Sequence, residues 1–216
     1  VLSLYLCFLC ISASLPFARS PVIQGKRWYN RIESHFIAGS EEFMKETLED
    51  LKTRRSCRRY QQKQVGQKEL DAILEAGKYA PTGMGKQSPI LVVIQDRETI
   101  EKISKLNAAV ADSPTDPFYE APTLVIVFAD KNINTYVEDG ALVMGNLLNA
   151  AHAVGVDSCF IYRAREVFET EEGKALLKKW GIGDQYVGIG NCILGYGAEG
   201  GINPAKPRKS DYVVRV

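Results

Sequence analysis

Four arginines fall within six residues at Arg54-Arg55-Ser56-Cys57-Arg58-Arg59, and Lys206-Pro207-Arg208-Lys209 adds three cations close to the other end of the chain. Guanidinium forks and ammonium point charges suit a phosphate better than a carboxylate, because phosphate presents more oxygens to them. A fold can bring two such clusters together around one anion. Each cluster taken alone reads equally well as a solvated surface patch. Between them, Pro81-Thr82-Gly83-Met84-Gly85-Lys86-Gln87 reads as a glycine-rich turn that offers backbone donors.

Little else in the chain is equipped for acid–base or nucleophilic work. Ser56 has no evident base, because the only histidines are His35 and His152 and the second falls within an alanine-rich helical stretch. Cys57 between arginines has two readings, a thiol with lowered pKa or a small residue facing inward. Asp139, near the start of a long helix, reads as a cap. Five scattered cysteines with one Cys7-x-x-Cys10 pair make no zinc site and fit free thiols in a reducing compartment. No GxGxxG links a strand to a helix, and Gly83-x-Gly85-Lys86 lacks the full phosphate-loop spacing. Cations for phosphate, backbone donors and few acids suit a protein whose chemistry comes from a cofactor.

The composition agrees with one soluble globular domain of ordinary size. The chain has 216 residues, 45% hydrophobic and 25% charged, with a formal net charge of +1. Its basic residues are concentrated locally and not in excess, which argues against a nucleic-acid partner or stable membrane association.

The elements that must position these residues follow from periodicity. Phe43, Leu48 and Leu51 among Lys and Glu predict an amphipathic helix ending near Arg54, which leaves the arginines in a loop at its exit. Helices are expected over Gln67–Ala80, Thr99–Val110, Asp139–Val154 and Thr170–Trp180. Strands are expected over Ile90–Ile94, Thr123–Phe128, Val156–Tyr162 and Tyr186–Gly195, with Tyr212–Val216 as a fifth on a sheet edge. Asp112–Glu120 reads as a loop. The fold class is α+β.

Residues 1–43 stand apart from residues 44–216. Leu2–Leu15 is almost wholly apolar, yet too short for a transmembrane helix and without the basic leader of a secretory signal. Glu41-Glu42-Phe43 before Met44 matches a literal translation of a purine-rich ribosome-binding site, so Met44 is the expected start. A cytoplasmic protein follows from that start, and an exported one if residues 1–20 act as a signal.

From Arg54 onward the chain resembles the FMN-dependent nitroreductase family. The resemblance is carried by Arg54-Arg55-Ser56-x-Arg58-x-Tyr60 and by Leu70-x-x-Ile73-Leu74-x-Ala76-Gly77-x-x-Ala80-Pro81-Thr82. It continues through Asp139-Gly140-Ala141, Asn146-Leu147-Leu148-x-Ala150-Ala151-x-x-x-Gly155, Ile193-Leu194-Gly195-Tyr196-Gly197 and Lys206-Pro207-Arg208-Lys209. It implies a central mixed, mostly antiparallel sheet flanked by helices, built as an intertwined homodimer with two FMN molecules at its interface.

The same resemblance implies roles. Arg54, Ser56 and Arg58 would bind the FMN phosphate and ribityl chain, with Arg55 close to the ring. Lys206 and Arg208 would complete the phosphate clamp, with Lys209 a weaker member. The turn from Pro81 to Gln87, including Thr82, Gly83 and Met84, would approach the flavin from the other subunit. Cys159, Phe160 and Ile161 would present backbone to its N5 edge. No side chain is implied as catalytic, and hydride would pass from NADH or NADPH through flavin N5 to a nitroaromatic, quinone or similar small-molecule acceptor by a ping-pong mechanism. Two departures limit this. Gly85 stands where many members have Asn, and the chain is short between Val110 and Pro122, where larger members cover the substrate. Alternatives on the same scaffold are a specialised flavin reductase or dehalogenase, or an FMN-binding protein without turnover.

Overall fold

The computed structural model describes residues 46–216. The readings made for residues 1–43 and for a start at Met44 lie outside the described residues. Six α-helices are named in chain order: α1 Glu46–Thr53, α2 Gln67–Lys78, α3 Arg97–Val110, α4 Tyr136–Ala153, α5 Ala164–Glu169 and α6 Glu171–Lys179. The strands are β1 Pro89–Ile94, β2 Thr123–Asp130, β3 Asp157–Ile161 and β4 Tyr186–Gly195, in the spatial order β1-β2-β4-β3.

β2 organises the core. Seven consecutive residues from Thr123 to Ala129 are buried, and their side chains alternate between the two faces of the sheet. Leu124, Ile126 and Phe128 pack with Ile100 and Ile103 of α3, Val167 and Phe168 of α5, and Leu176 and Leu177 of α6. Val125 and Val127 point the other way, into Leu70 and Ile73 of α2 and Val143, Met144 and Leu147 of α4. The result is one sheet between two layers of helices.

All three strand ladders are antiparallel. The one parallel pair among the described residues is an isolated bridge between Ser56 and Ser158. A bulge sits where Val127 faces Gly190 and Phe128 faces Gly188, so Ile189 is the extra residue of β4.

Several expectations change. β1 begins at Pro89, one residue before the predicted Ile90, and is half-buried, with Val93 exposed and only Ile94 buried, because it is an edge strand with one neighbour. α2 ends two residues before the predicted Ala80, since the residue before Pro81 is steered away from helical backbone. α4 begins three residues earlier than predicted, at Tyr136 with Thr135 as its N-cap, so Asp139 lies inside the first turn and is not the cap. α5 was not predicted, and its six residues are too few to show a periodicity. Tyr212–Val216 forms no strand and is exposed, having found no neighbouring strand in its own chain. No helix among the described residues is long and apolar enough to cross a membrane.

Candidate functional site

The arginine segment leaves α1 and is sewn into the end of the sheet. Cys57 N–H donates to Ser158 O at 3.0 Å, Arg58 N–H to Gly201 O at 2.8 Å and Gln61 N–H to Tyr196 O at 2.8 Å. Isolated antiparallel bridges pair Cys57 with Ile202 and Tyr60 with Gly197. Cys57 and Tyr60 thereby point into the core, at 0% and 6% exposure, while Arg58 and Arg59 point out. The inward reading of Cys57 holds. Burial pushes its thiol above the ordinary value, with Asp157 and Cys159 adding to the rise against backbone hydrogen bonds from Arg59 and Arg58. A thiol held in its neutral form is a poor nucleophile.

The four arginines divide into two kinds. Arg55 Nη1 donates to the carbonyl oxygens of Lys52 at 2.7 Å and Arg54 at 2.6 Å, which satisfies the exit of α1. Arg59 Nη1 donates to Glu199 O at 3.1 Å and fastens the segment that follows β4. Arg54 and Arg58 are not used in this way. Arg54 Nη1 is buried and has no hydrogen-bond partner, and Arg58 is exposed with no partner for its guanidinium among the described residues. The Ser56 hydroxyl, half-buried between them in sequence, is also unengaged. A buried guanidinium nitrogen without an acceptor is costly. An anionic ligand would relieve that cost, so these residues fit a phosphate.

Beside them runs β3. Ser56 bridges Ser158, which places Cys159, Phe160 and Ile161 directly downstream of the arginine segment. Phe160 is 43% exposed, and its ring covers Gly190, where a Cβ would collide with it. The Ser158 hydroxyl is buried without a partner.

The glycine-rich turn is built separately. Gly83–Gly85 is a short 3-10 turn in which Met84 and Gly85 take positive φ, 52° and 66°, and Gln87 follows at 50°. Gly85 N–H donates to Thr82 O, Lys86 N–H to Gly83 O, and Gln87 N–H to the Thr82 hydroxyl at 3.0 Å. Met84 is 87% exposed at its tip. Asp139 of α4 accepts from Gly83 N–H at 2.8 Å and from Ser88 Oγ at 2.7 Å. Sequence reasoning gave Asp139 no part in this turn. Its partners Gly83 and Ser88 lie 56 and 51 residues away, and no local signal marks them.

α4 separates the two groups. The turn is tied to its first helical turn through Asp139, whereas Thr53, the residue before Arg54, meets His152 in its last turn at 3.0 Å. Asp139 and His152 stand thirteen positions apart on this helix, about 20 Å along its axis. The structure thus joins the arginine segment at Ser56 and Cys57 to Ser158, at the start of the strand that carries Cys159–Ile161, and anchors Gly83 of the turn at the other end of α4.

Lys206, Arg208 and Lys209 are exposed. Lys209 pairs with Asp211 at 3.7 Å and lies over the Tyr212 ring. Lys206 follows Ile202, the partner of Cys57, by four residues. That length of chain spans up to about 14 Å. No group of three or more metal-ligating side chains occurs among the described residues.

Residues 51–196 match the model of the Nitroreductase family. A solved nitroreductase with bound FMN from Bacteroides fragilis is 31% identical, at a TM-score of 0.74, over 80% of this chain and 100% of that one. A protein of Archaeoglobus fulgidus, named as a candidate NADH dehydrogenase/NAD(P)H nitroreductase, is 30% identical over 71% of this chain and 86% of its own length. A nitroreductase with bound FMN from Desulfitobacterium hafniense shares the fold at a TM-score of 0.72 and 22% identity, over 81% of this chain and all of that one.

Proposed function

The chain belongs to the nitroreductase family, and on that premise we propose that it is an FMN-dependent NAD(P)H oxidoreductase reducing nitroaromatics, quinones or similar small acceptors. The observation that carries the cofactor assignment is the buried, unpartnered Nη1 of Arg54 beside an unengaged Ser56 hydroxyl and a free Arg58. Those three hold the phosphate and ribityl chain. Arg55 shapes the exit of α1 and stands near the ring as a secondary contact. Lys206 and Arg208 close over the phosphate from the segment beyond Ile202, with Lys209 at the margin.

FMN held by these residues would supply two-electron chemistry between a nicotinamide and the acceptor. The protein supplies position. Cys159, Phe160 and Ile161 line the ring edge from β3. No side chain of the arginine segment or β3 is needed as a proton donor, which agrees with a Cys57 thiol kept neutral in the core.

The working unit is a homodimer. The anchors of the arginine segment and of the turn, His152 and Asp139, stand about 20 Å apart along α4, and the turn, with Pro81, Thr82, Gly83, Met84 and Gln87, completes the site of a second copy. Uncovered apolar side chains support this: Leu48 and Leu51 on α1, Val137 and Leu142 on α4, and Tyr212, Val213, Val214 and Val216 at the C-terminus. The residues assigned to the site all fall within 44–216, which is the proposed functional domain.

The test is the visible absorption spectrum of the purified protein before and after NADH or NADPH without oxygen. A flavin spectrum that bleaches with one nicotinamide and returns with a quinone or nitroaromatic is the expected result. A colourless protein that takes up no added FMN rejects it. Flavin that binds but never bleaches points to a binding protein without turnover.

A further inference from the structure

Asp139 reaches none of the groups that would touch a phosphate, yet it is the most heavily engaged carboxylate facing the turn. It is 2% exposed. Oδ1 accepts from Gly83 N–H at 2.8 Å, and Oδ2 accepts from the Ser88 hydroxyl at 2.7 Å and the Thr135 hydroxyl at 3.2 Å. Gly83 opens the turn, Ser88 follows its last residue, and Thr135 is the N-cap of α4.

Between Gly83 and Ser88 the backbone enters the left-handed region at Met84, Gly85 and Gln87, and two of these are not glycine. Such a run persists only where its surroundings over-determine it. Met84 is nearly free of packing, and the turn's own hydrogen bonds close it on itself without orienting it. Among the described residues, Asp139 is the one side chain from outside the turn that hydrogen-bonds at both of its ends. Gly83 also has no room for a Cβ, which would strike the Thr135 side chain. The turn is therefore pressed against the helix start at the point where Asp139 holds it.

We infer that Asp139 is a positioning residue, a buried carboxylate clamp that holds both ends of the 82–87 turn and so presents that turn preformed to the flavin of a partner subunit. The inference rests on the FMN reading above and adds the residue through which the turn is set. Asp139 acts only through the turn. All its partners donate, which a carboxylate accepts without conflict. In Asp139→Asn the Ser88 hydroxyl can rotate to accept from the new amide, so most of the clamp survives. In Asp139→Ala the Gly83 N–H loses its acceptor outright.

Exposed Lys86 lies within the turn and provides a readout independent of turnover. Trypsin cleavage after Lys86 is followed by mass spectrometry on dimeric full-length protein with and without FMN. Asp139→Ala is expected to be cut roughly tenfold faster than wild type, with Asp139→Asn close to wild type. FMN affinity in Asp139→Ala should fall by about fivefold or more, with recovery in Asp139→Asn. Should Asp139→Ala fail to fold, Ser88→Ala removes one end of the clamp and should still accelerate the cut. Wild-type cleavage rates in both Asp139→Ala and Ser88→Ala overturn the clamp. Faster cleavage with unchanged FMN affinity overturns the link to the flavin while the wild type's own FMN binding stands. A wild type that takes up no FMN removes the flavin half of the inference together with the reading beneath it, and the cleavage comparison still judges the clamp.

Discussion

The Thr53 hydroxyl stands 2.7 Å from the carbonyl oxygen of Glu49 and 3.0 Å from Nε2 of His152. Its single proton goes to the carbonyl, so the ring nitrogen must be the donor, and His152 carries a proton on Nε2. Through this contact the last turn of α4 fixes the residue that precedes Arg54.

His152→Ala should release α1, which buries no side chain of its own. FMN affinity is expected to weaken by roughly threefold to tenfold, the worth of about one neutral hydrogen bond. His152→Gln keeps an N–H donor and should recover most of the loss. Equal affinity in wild type and His152→Ala, by flavin fluorescence titration, rejects the contact as a determinant of the site.

Arg54→Ala and Arg59→Ala should separate sharply although both remove one arginine from the same cluster. Losing the Arg54 contact to phosphate should cost about 1.5–3 kcal/mol of FMN binding. Arg59 is engaged with Glu199 O, and its loss should change FMN binding by less than about threefold. Similar dissociation constants for the two variants would remove the division between free and engaged arginines.

Cys57 should resist alkylation in the native protein, because it is fully buried and its thiol is raised by that burial. Cys57→Ala should retain turnover within about twofold, since the step needs no thiolate. Rapid labelling of native Cys57 by iodoacetamide, or a collapse of turnover in a folded Cys57→Ala, contradicts the inward placement.

Acid should weaken the Asp139 clamp. Burial alone would raise this carboxyl, but hydrogen bonds from Ser88, Gly83 and Thr135 bring it below the ordinary value of 3.8. A carboxyl with a depressed folded pKa contributes stability that is complete above its unfolded value and is lost as pH falls through the folded one. The difference in thermal midpoint between wild type and Asp139→Asn should be constant above about pH 5 and shrink below about pH 4. None of its hydrogen-bond partners is charged, so added salt should leave the difference intact. A difference that grows on acidification reverses the sign and rejects the assignment.

Much of the scaffold could be read from periodicity. A helix runs from Gln67 as expected, and the apolar run from Thr123 became the central strand. The arginine cluster could be read as a cationic site but not resolved into its parts. Arg54 and Arg55 are adjacent and chemically identical, and only the fold turns one guanidinium onto the carbonyls of α1 and leaves the other buried and unpartnered. Asp139 was misread for a related reason. Its role depends on the start of α4 and on contacts more than fifty residues away, and neither has a local signature. The Lys206–Lys209 segment shows its composition but not its destination, because four residues of chain separate Ile202 from Lys206 and their path has no local signature.

The central pair of strands has a consequence for the order of assembly. β2 ends at Asp130, and its inner partner β4 begins only at Tyr186. A ribosome adding ~5–20 residues each second needs several seconds to make the intervening chain. During that interval β2, the most apolar strand, can pair only with β1, and its other edge is open to wrong partners. The arginine segment waits longer still, because its bridges to Gly197 and Ile202 require the chain beyond β4. The residues that would grip the phosphate are thus synthesised early and assembled last, and a nascent chain stalled before Gly197 carries all four arginines without the frame that orients them.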